Sequence, residues 1–155
     1  MFKRALLFSV LGLFVVAVRA ADTGPSFFAP PGADPKTSPP FSNAVMVDGT
    51  FYVAGHLGLD PATGKAGSDA EAEARLVMDA VKQTLERGGL TMEDLISVTV
   101  YCTDLDLYDK FNAVYRGYFH EHYPARAFIG VAKLVRGAHF EVAGVAYKSK
   151  TAHKH

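Results

Sequence analysis

The chain has 155 residues, 49% hydrophobic and 21% charged, with 16 basic and 16 acidic side chains, a single cysteine and no tryptophan. That balance excludes nucleic-acid recognition through a broad basic face, and one cysteine excludes an intrachain disulfide framework. The length suits one domain with a substantial core.

Residues 1–20, MFKRALLFSVLGLFVVAVRA, join Lys3 and Arg4 to an apolar run and close on small residues at Val18 and Ala20. Charged, apolar and small-residue regions in that order make a secretory signal peptide. The competing reading is an uncleaved membrane anchor. The run from Ala5 to Val18 falls short of the roughly 20 residues that a bilayer helix needs, which favours cleavage after Ala20. The mature chain then carries 13 basic and 16 acidic side chains, a formal charge of −3. Its expected location is periplasmic or secreted, with no stable membrane association.

Residues 21–40 hold six of the eight prolines and read as an extended arm. AVMVDGTFYVAG follows, two β-rich runs around the hairpin dipeptide Asp48-Gly49. Ser68 and Glu71 predict a capping box. Beyond it Leu76, Val77, Ala80, Val81, Thr84 and Leu85 recur at helical spacing up to Gly88-Gly89. LISVTVYCTDL alternates as a strand, with Cys102 in step with Val98 and Val100 as a small buried hydrophobe. A second amphipathic helix carries Leu107, Phe111, Val114, Tyr115 and Tyr118 along one side.

RAFIGVAKL and AHFEVAGVAYK close the chain as two strands. A two-residue turn at Arg136-Gly137 would pair Arg126 near Tyr147 and set Glu141 about six residues, roughly 20 Å, along the ladder. One chain would not then bring Arg126 and Glu141 together. The order β-β-α-β-α-β-β predicts an α+β domain over residues 41–148, helices on one face of the sheet, with 149–155 a flexible tail. The apolar alternation of the last strands suggests that the open face is covered by another subunit.

Arg126 stands at the mouth of an apolar, β-leaning run, where an unpaired guanidinium is costly. It calls for an anion, either an acid of the protein or a ligand. Glu141, between Phe140 and Val142, is either a solvated edge residue or a carboxylate able to orient water. Gly55 allows close backbone approach to a ligand, or marks a bulge. His120-x-His122 and His153-x-His155 lack the companions of a zinc site and read as solvated, and His56 reads as structural.

PFSNAVMVDGTFYVAGHLGLDPATGK, EAEARLVMDAVKQTLERGGLTMEDLISVTVYCTDL, FNAVYRGYF and PARAFIGVAKLVRGAHFEVAGVA together resemble the RidA/YjgF reactive-intermediate deaminases over about residues 38–148. The resemblance implies a chorismate-mutase-like fold with a mixed β-sheet, a homotrimer, and active sites in clefts between subunits. It implies hydrolysis of enamine and imine intermediates, such as 2-aminoacrylate and 2-iminopropanoate, to 2-keto acids and ammonia, with neither metal nor cofactor. Position by position, Arg126 matches the carboxylate-binding arginine and Glu141 the acid of the last strand. Asn112 and Gly55 match further binding positions. Phe41 stands where a tyrosine is common, Phe128 where many members carry cysteine, and His56 replaces a glutamine. Ala143 and Gly144 replace the second acid and alanine of the usual closing motif. The alternative within the same fold is a binder of small carboxylates that turns nothing over; chorismate-mutase-type catalysis lacks sequence support.

Exported protein should begin at Ala21. N-terminal sequencing that returned Met1 from a soluble cytoplasmic fraction would overturn the leader assignment.

Overall fold

The computed structural model describes residues 24–34 and 36–148. The leader at 1–20, the start of the arm and the tail at 149–155 lie outside the described residues. Asp48 and Gly49 both take positive φ, 49° and 81°, the turn whose twist suits two antiparallel strands. β2 (Ala44–Val47) and β3 (Thr50–Leu57) close around it as the dipeptide predicts. Part of the proline-rich arm is extended and joins the sheet, whereas amide bonds from Ala33 to the Pro30 carbonyl and from Thr37 to the Asp34 carbonyl close turns after it. Its β1 (Ser26–Phe28) pairs with β2 and sets Phe28 edge-on against Phe51, ring centroids 5.0 Å apart.

After β3 come α1 (Ala70–Arg87), β4 (Leu95–Cys102), α2 (Tyr108–Tyr115), β5 (Ala125–Gly130) and β6 (Phe140–Tyr147). The sheet order is β1-β2-β3-β6-β4-β5, and the β4–β5 pair alone is parallel. The expected hairpin between the last two strands is therefore wrong. Parallel neighbours need a crossover, and α2 supplies it between β4 and β5. The chain from Val131 to His139 then passes β4, and β6 enters between β3 and β4.

Strand alternation sorts the side chains. Phe51, Val53, Val98, Val100, Cys102, Phe140, Val142 and Ala146 are buried under the helices. Ala74, Val77, Met78, Val81 and Leu85 of α1 and Phe111, Val114 and Tyr115 of α2 meet them. Ala74 and Met78 thus belong to the buried stripe, while Leu76 and Ala80 lie beside it, half-buried. The helix starts one residue later than the capping-box reading. Asp69 is the cap, its carboxylate accepting from the Ala72 amide at 2.8 Å, and Ser68 only donates to Asp69. An ionised aspartate answers the amides of the first turn better than a serine hydroxyl, and that hydrogen bond holds the Asp69 carboxyl below its ordinary range. Among the described residues no helix is long and apolar enough to cross a membrane.

Two polar contacts tie α1 to the sheet. Glu73 of α1 is fully buried. One carboxylate oxygen accepts from the backbone amides of His139 (2.5 Å) and Phe140 (2.8 Å), and the other accepts from His139 Nδ1 (2.8 Å). Gly58 makes room for it, since a Cβ there would strike the Glu73 backbone and side chain. His56 is the second tie. Its Nδ1–H donates to the Ala54 carbonyl at 3.0 Å, which fixes the tautomer, and the Thr84 hydroxyl donates to Nε2 at 2.6 Å. The histidine is structural, as its lone position suggests. Cys102 is buried and unpaired, its thiol donating to the Asp104 carbonyl at 2.9 Å.

Glu73→Ala leaves two amides at the start of β6 without an acceptor, and should cost about 3 kcal/mol of stability in urea unfolding. Glu73→Gln, which still offers an oxygen, should lose clearly less. Equal losses would mean that the carboxylate acts only as filler. Burial pulls the His56 pKa below 6.5, against the opposing pull of the Ala54 and Gly55 carbonyls. The unfolded chain therefore takes up that proton first, so stability should fall as pH drops through 6.5 toward 5. The fall should be shallower in His56→Gln; identical pH slopes in the two proteins would remove His56 from the account.

Candidate functional site

β5 is an edge strand, and its register with β4 sets Arg126 opposite Val98, on the helix-covered side of the sheet. There α2 meets it. Arg126 Nη2 donates to the Asn112 side-chain oxygen at 2.8 Å. That bond turns the Asn112 NH2 group away from the arginine and leaves it free to donate. The guanidinium carbon lies 4.5 Å from the centre of the Tyr115 ring and 5.8 Å from those of Tyr108 and Phe128. Aromatic faces stabilise a guanidinium without neutralising it. Among the described residues Arg126 has no carboxylate partner. No described acid of the same chain is therefore what holds it.

Beside Arg126 opens a cavity of about 280 Å³, lined by Tyr108, Asn112, Tyr115, Arg116, Tyr123, Pro124 and Arg126. The first four fall at i, i+4, i+7 and i+8, one face of the α2 segment. Phe128 backs the cavity rather than lining it, packed edge-on against Tyr108 at 4.9 Å and Phe111 at 5.5 Å. Tyr115 is 4% exposed. Burial pushes its phenol up to about 12 against the pull of Arg126, so it stays protonated at neutral pH. Its hydroxyl oxygen has no hydrogen-bond partner among the described residues.

Glu141 lies elsewhere. It pairs with Tyr101 and Leu57, so its side chain leaves the opposite, uncovered face of the sheet. The β3–β6 register shifts between Val53 and His56, so the bulge reading of Gly55 holds. The glycine has a second use, because a Cβ at Gly55 would collide with the Glu141 carboxylate. The close approach allowed there is thus filled by Glu141 within the chain. Phe41 stands 55% exposed before β2 and does not line the Arg126 cavity. One chain therefore unites Arg126, Asn112 and Phe128 on one face and Gly55 and Glu141 on the other. The separation expected of Arg126 and Glu141 is present, but its cause is the sheet between them, not distance along a hairpin.

The sequence reading missed Tyr108, Arg116 and Tyr123, and took Tyr115 as core alone. Tyrosines seven residues apart, with Asn112 between them, were the available signal. Of the histidine pairs, His153 and His155 lie outside the described residues. His122 groups with Glu93 and Glu121, their ligand atoms within 4.8 Å of one another, whereas His120 gives only its backbone amide to Glu93. Exposed groups of this kind are common without an ion.

The family model for endoribonuclease L-PSP matches residues 32–148. The chain belongs to the RidA/YjgF family. It is 36% identical over 115 residues to a RutC family protein of Pyrococcus abyssi, covering 74% of this chain and 91% of that one. It is 34% identical over 108 residues to the human 2-iminobutanoate/2-iminopropanoate deaminase, covering 69% of this chain and 79% of the human protein. Among solved structures, the YjgF gene product of E. coli superposes with a TM-score of 0.67 at 31% identity, covering 71% of this chain and 89% of that one. The mixed six-stranded sheet with two helices is thus the fold of this family, as the sequence resemblance implied.

Proposed function

We propose that this protein hydrolyses reactive 2-imino and 2-enamino acids to 2-keto acids and ammonia, as an exported homotrimer. The observation that carries this reading is Arg126, held by a neutral amide and aromatic rings with no carboxylate partner among the described residues. A guanidinium so placed offers two parallel N–H donors to a substrate carboxylate, fixing direction as well as charge. The free NH2 of Asn112 lies beside it. The human relative's name as an imine deaminase supports the reaction class.

The imine carbon is already electrophilic, and a proton on nitrogen makes it more so. Glu141 acts as the base that orients water and accepts its proton. Water's oxygen bonds to carbon, the C–N bond breaks, and ammonia leaves with the protons. Because Glu141 and Arg126 leave opposite faces of one sheet, the two meet only when a second copy brings its Glu141 to the Arg126 cavity. The uncovered face, with Tyr52, Ile129 and Tyr147 exposed, offers the surface for that assembly. Gly55 keeps Glu141 in place, Phe128 supports the aromatic wall, and Phe41 completes the cleft from the neighbouring copy.

Ammonia release from freshly generated 2-iminopropanoate is the test. Arg126→Lys keeps the charge but loses the fork, and carboxylate affinity should fall about tenfold, some 1.4 kcal/mol. Glu141→Gln should slow turnover about 100-fold while binding survives. Light scattering should give three chains per particle. Binding without turnover in the parent protein would make it a carboxylate binder, and a stable monomer at micromolar concentration would sink the shared site.

A further inference from the structure

The Arg126 cavity holds more positive charge than a monocarboxylate needs. Arg116 lines it as well, and among the described residues of the same chain no acidic side chain does. Like Arg126, Arg116 has no ion-pair partner among the described residues. It stands one turn beyond Asn112, about 6 Å along the helix axis, on the same side of the segment. Asn112 in turn is bonded to Arg126. A cation at the end of α2 also suits the helix dipole. That role would be met on any exposed side, whereas this residue falls on the side that opens toward Arg126.

We propose that the preferred substrate is a dianion, a 2-imino dicarboxylic acid of four or five carbons. Its 1-carboxylate sits on Arg126 and its distal carboxylate on Arg116. The inference rests on the hydrolytic reading above and narrows it. Two like charges facing one cavity repel until an anion lies between them, so a dianion gains from both, whereas 2-iminopropanoate leaves Arg116 unused. A four- or five-carbon diacid spans about one helical turn, and the cavity of about 280 Å³ accommodates it. The aromatic rings flank its short methylene chain. The reaction balances as before: the 2-imino diacid and water give the 2-keto diacid and ammonia, with no redox step. A substrate of this class is supplied by two-electron oxidation of an acidic amino acid.

The test compares 2-iminosuccinate with 2-iminopropanoate, generated in situ from aspartate and alanine by flavin oxidases. The parent protein should show kcat/KM at least tenfold higher for 2-iminosuccinate. Arg116→Gln should lower that ratio tenfold or more, and Arg116→Lys should recover part of it. Arg116 is exposed, so neither change threatens the core. A parent ratio near one, or a ratio unmoved by Arg116→Gln, overturns the proposal. Hydrolysis of neither imine would defeat the hydrolytic reading alone. Calorimetry with succinate and butanoate then decides the dianion site. Succinate binding tenfold tighter, with the gap closed by Arg116→Gln, sustains it; equal affinities overturn it.

Discussion

A buried carboxylate with three donors anchors this fold. Glu73 reaches from the first turns of α1 to the first residues of β6, the strand lodged between β3 and β4. Removing an ionised group from water costs several kcal/mol unless every lone pair is answered. Here two backbone amides and an imidazole answer it. Glu141 is the second residue of β6, so the same contact that docks the helix also fixes where the uncovered face begins its run of open side chains. Packing alone would hold α1 on the sheet but would tolerate sliding. Directed hydrogen bonds do not.

The sheet acts as a partition. Strand alternation sends Arg126 to the helix side and Glu141 to the open side, and no rotamer change carries either across. The arginine half is rigidly built, with Asn112 and three rings around one guanidinium. The glutamate half is simpler, a carboxylate lying over a glycine at a bulge. Each half is sound as local structure, and on the proposed reading a second copy completes the chemistry.

What could be read from the sequence was what local chemistry decides. Asp48-Gly49 specifies its own turn, the apolar spacing of α1 and α2 specifies helices, and the ordered segments specify the family. Contacts between distant residues were less visible. The parallel pairing of β5 with β4 depends on the crossover through α2, which no residue near Arg136-Gly137 announces. Glu73 sits where an acid ordinarily serves a helix N-terminus in solvent, and nothing adjacent reveals that it turns inward. Ser68 and Asp69 are both good caps, and a one-residue choice between them lies within the ordinary ambiguity of helix ends. Tyr115 was legible as a helix-face aromatic. Its second duty beneath Arg126 emerges only once β5 lies beside it.

The burial of Cys102 has a consequence for the conditions this protein tolerates. Its sulfur has no exposed surface, its S–H is committed to the Asp104 carbonyl, and burial holds the thiol above its ordinary pKa. Thiolate is the form that attacks disulfides and reacts with peroxide, and it is scarce and inaccessible here. The folded chain's thiol is therefore silent, neither cross-linking to a second copy nor forming a bridge when the surroundings become oxidising. Its integrity should be indifferent to the glutathione poise on either side of a membrane.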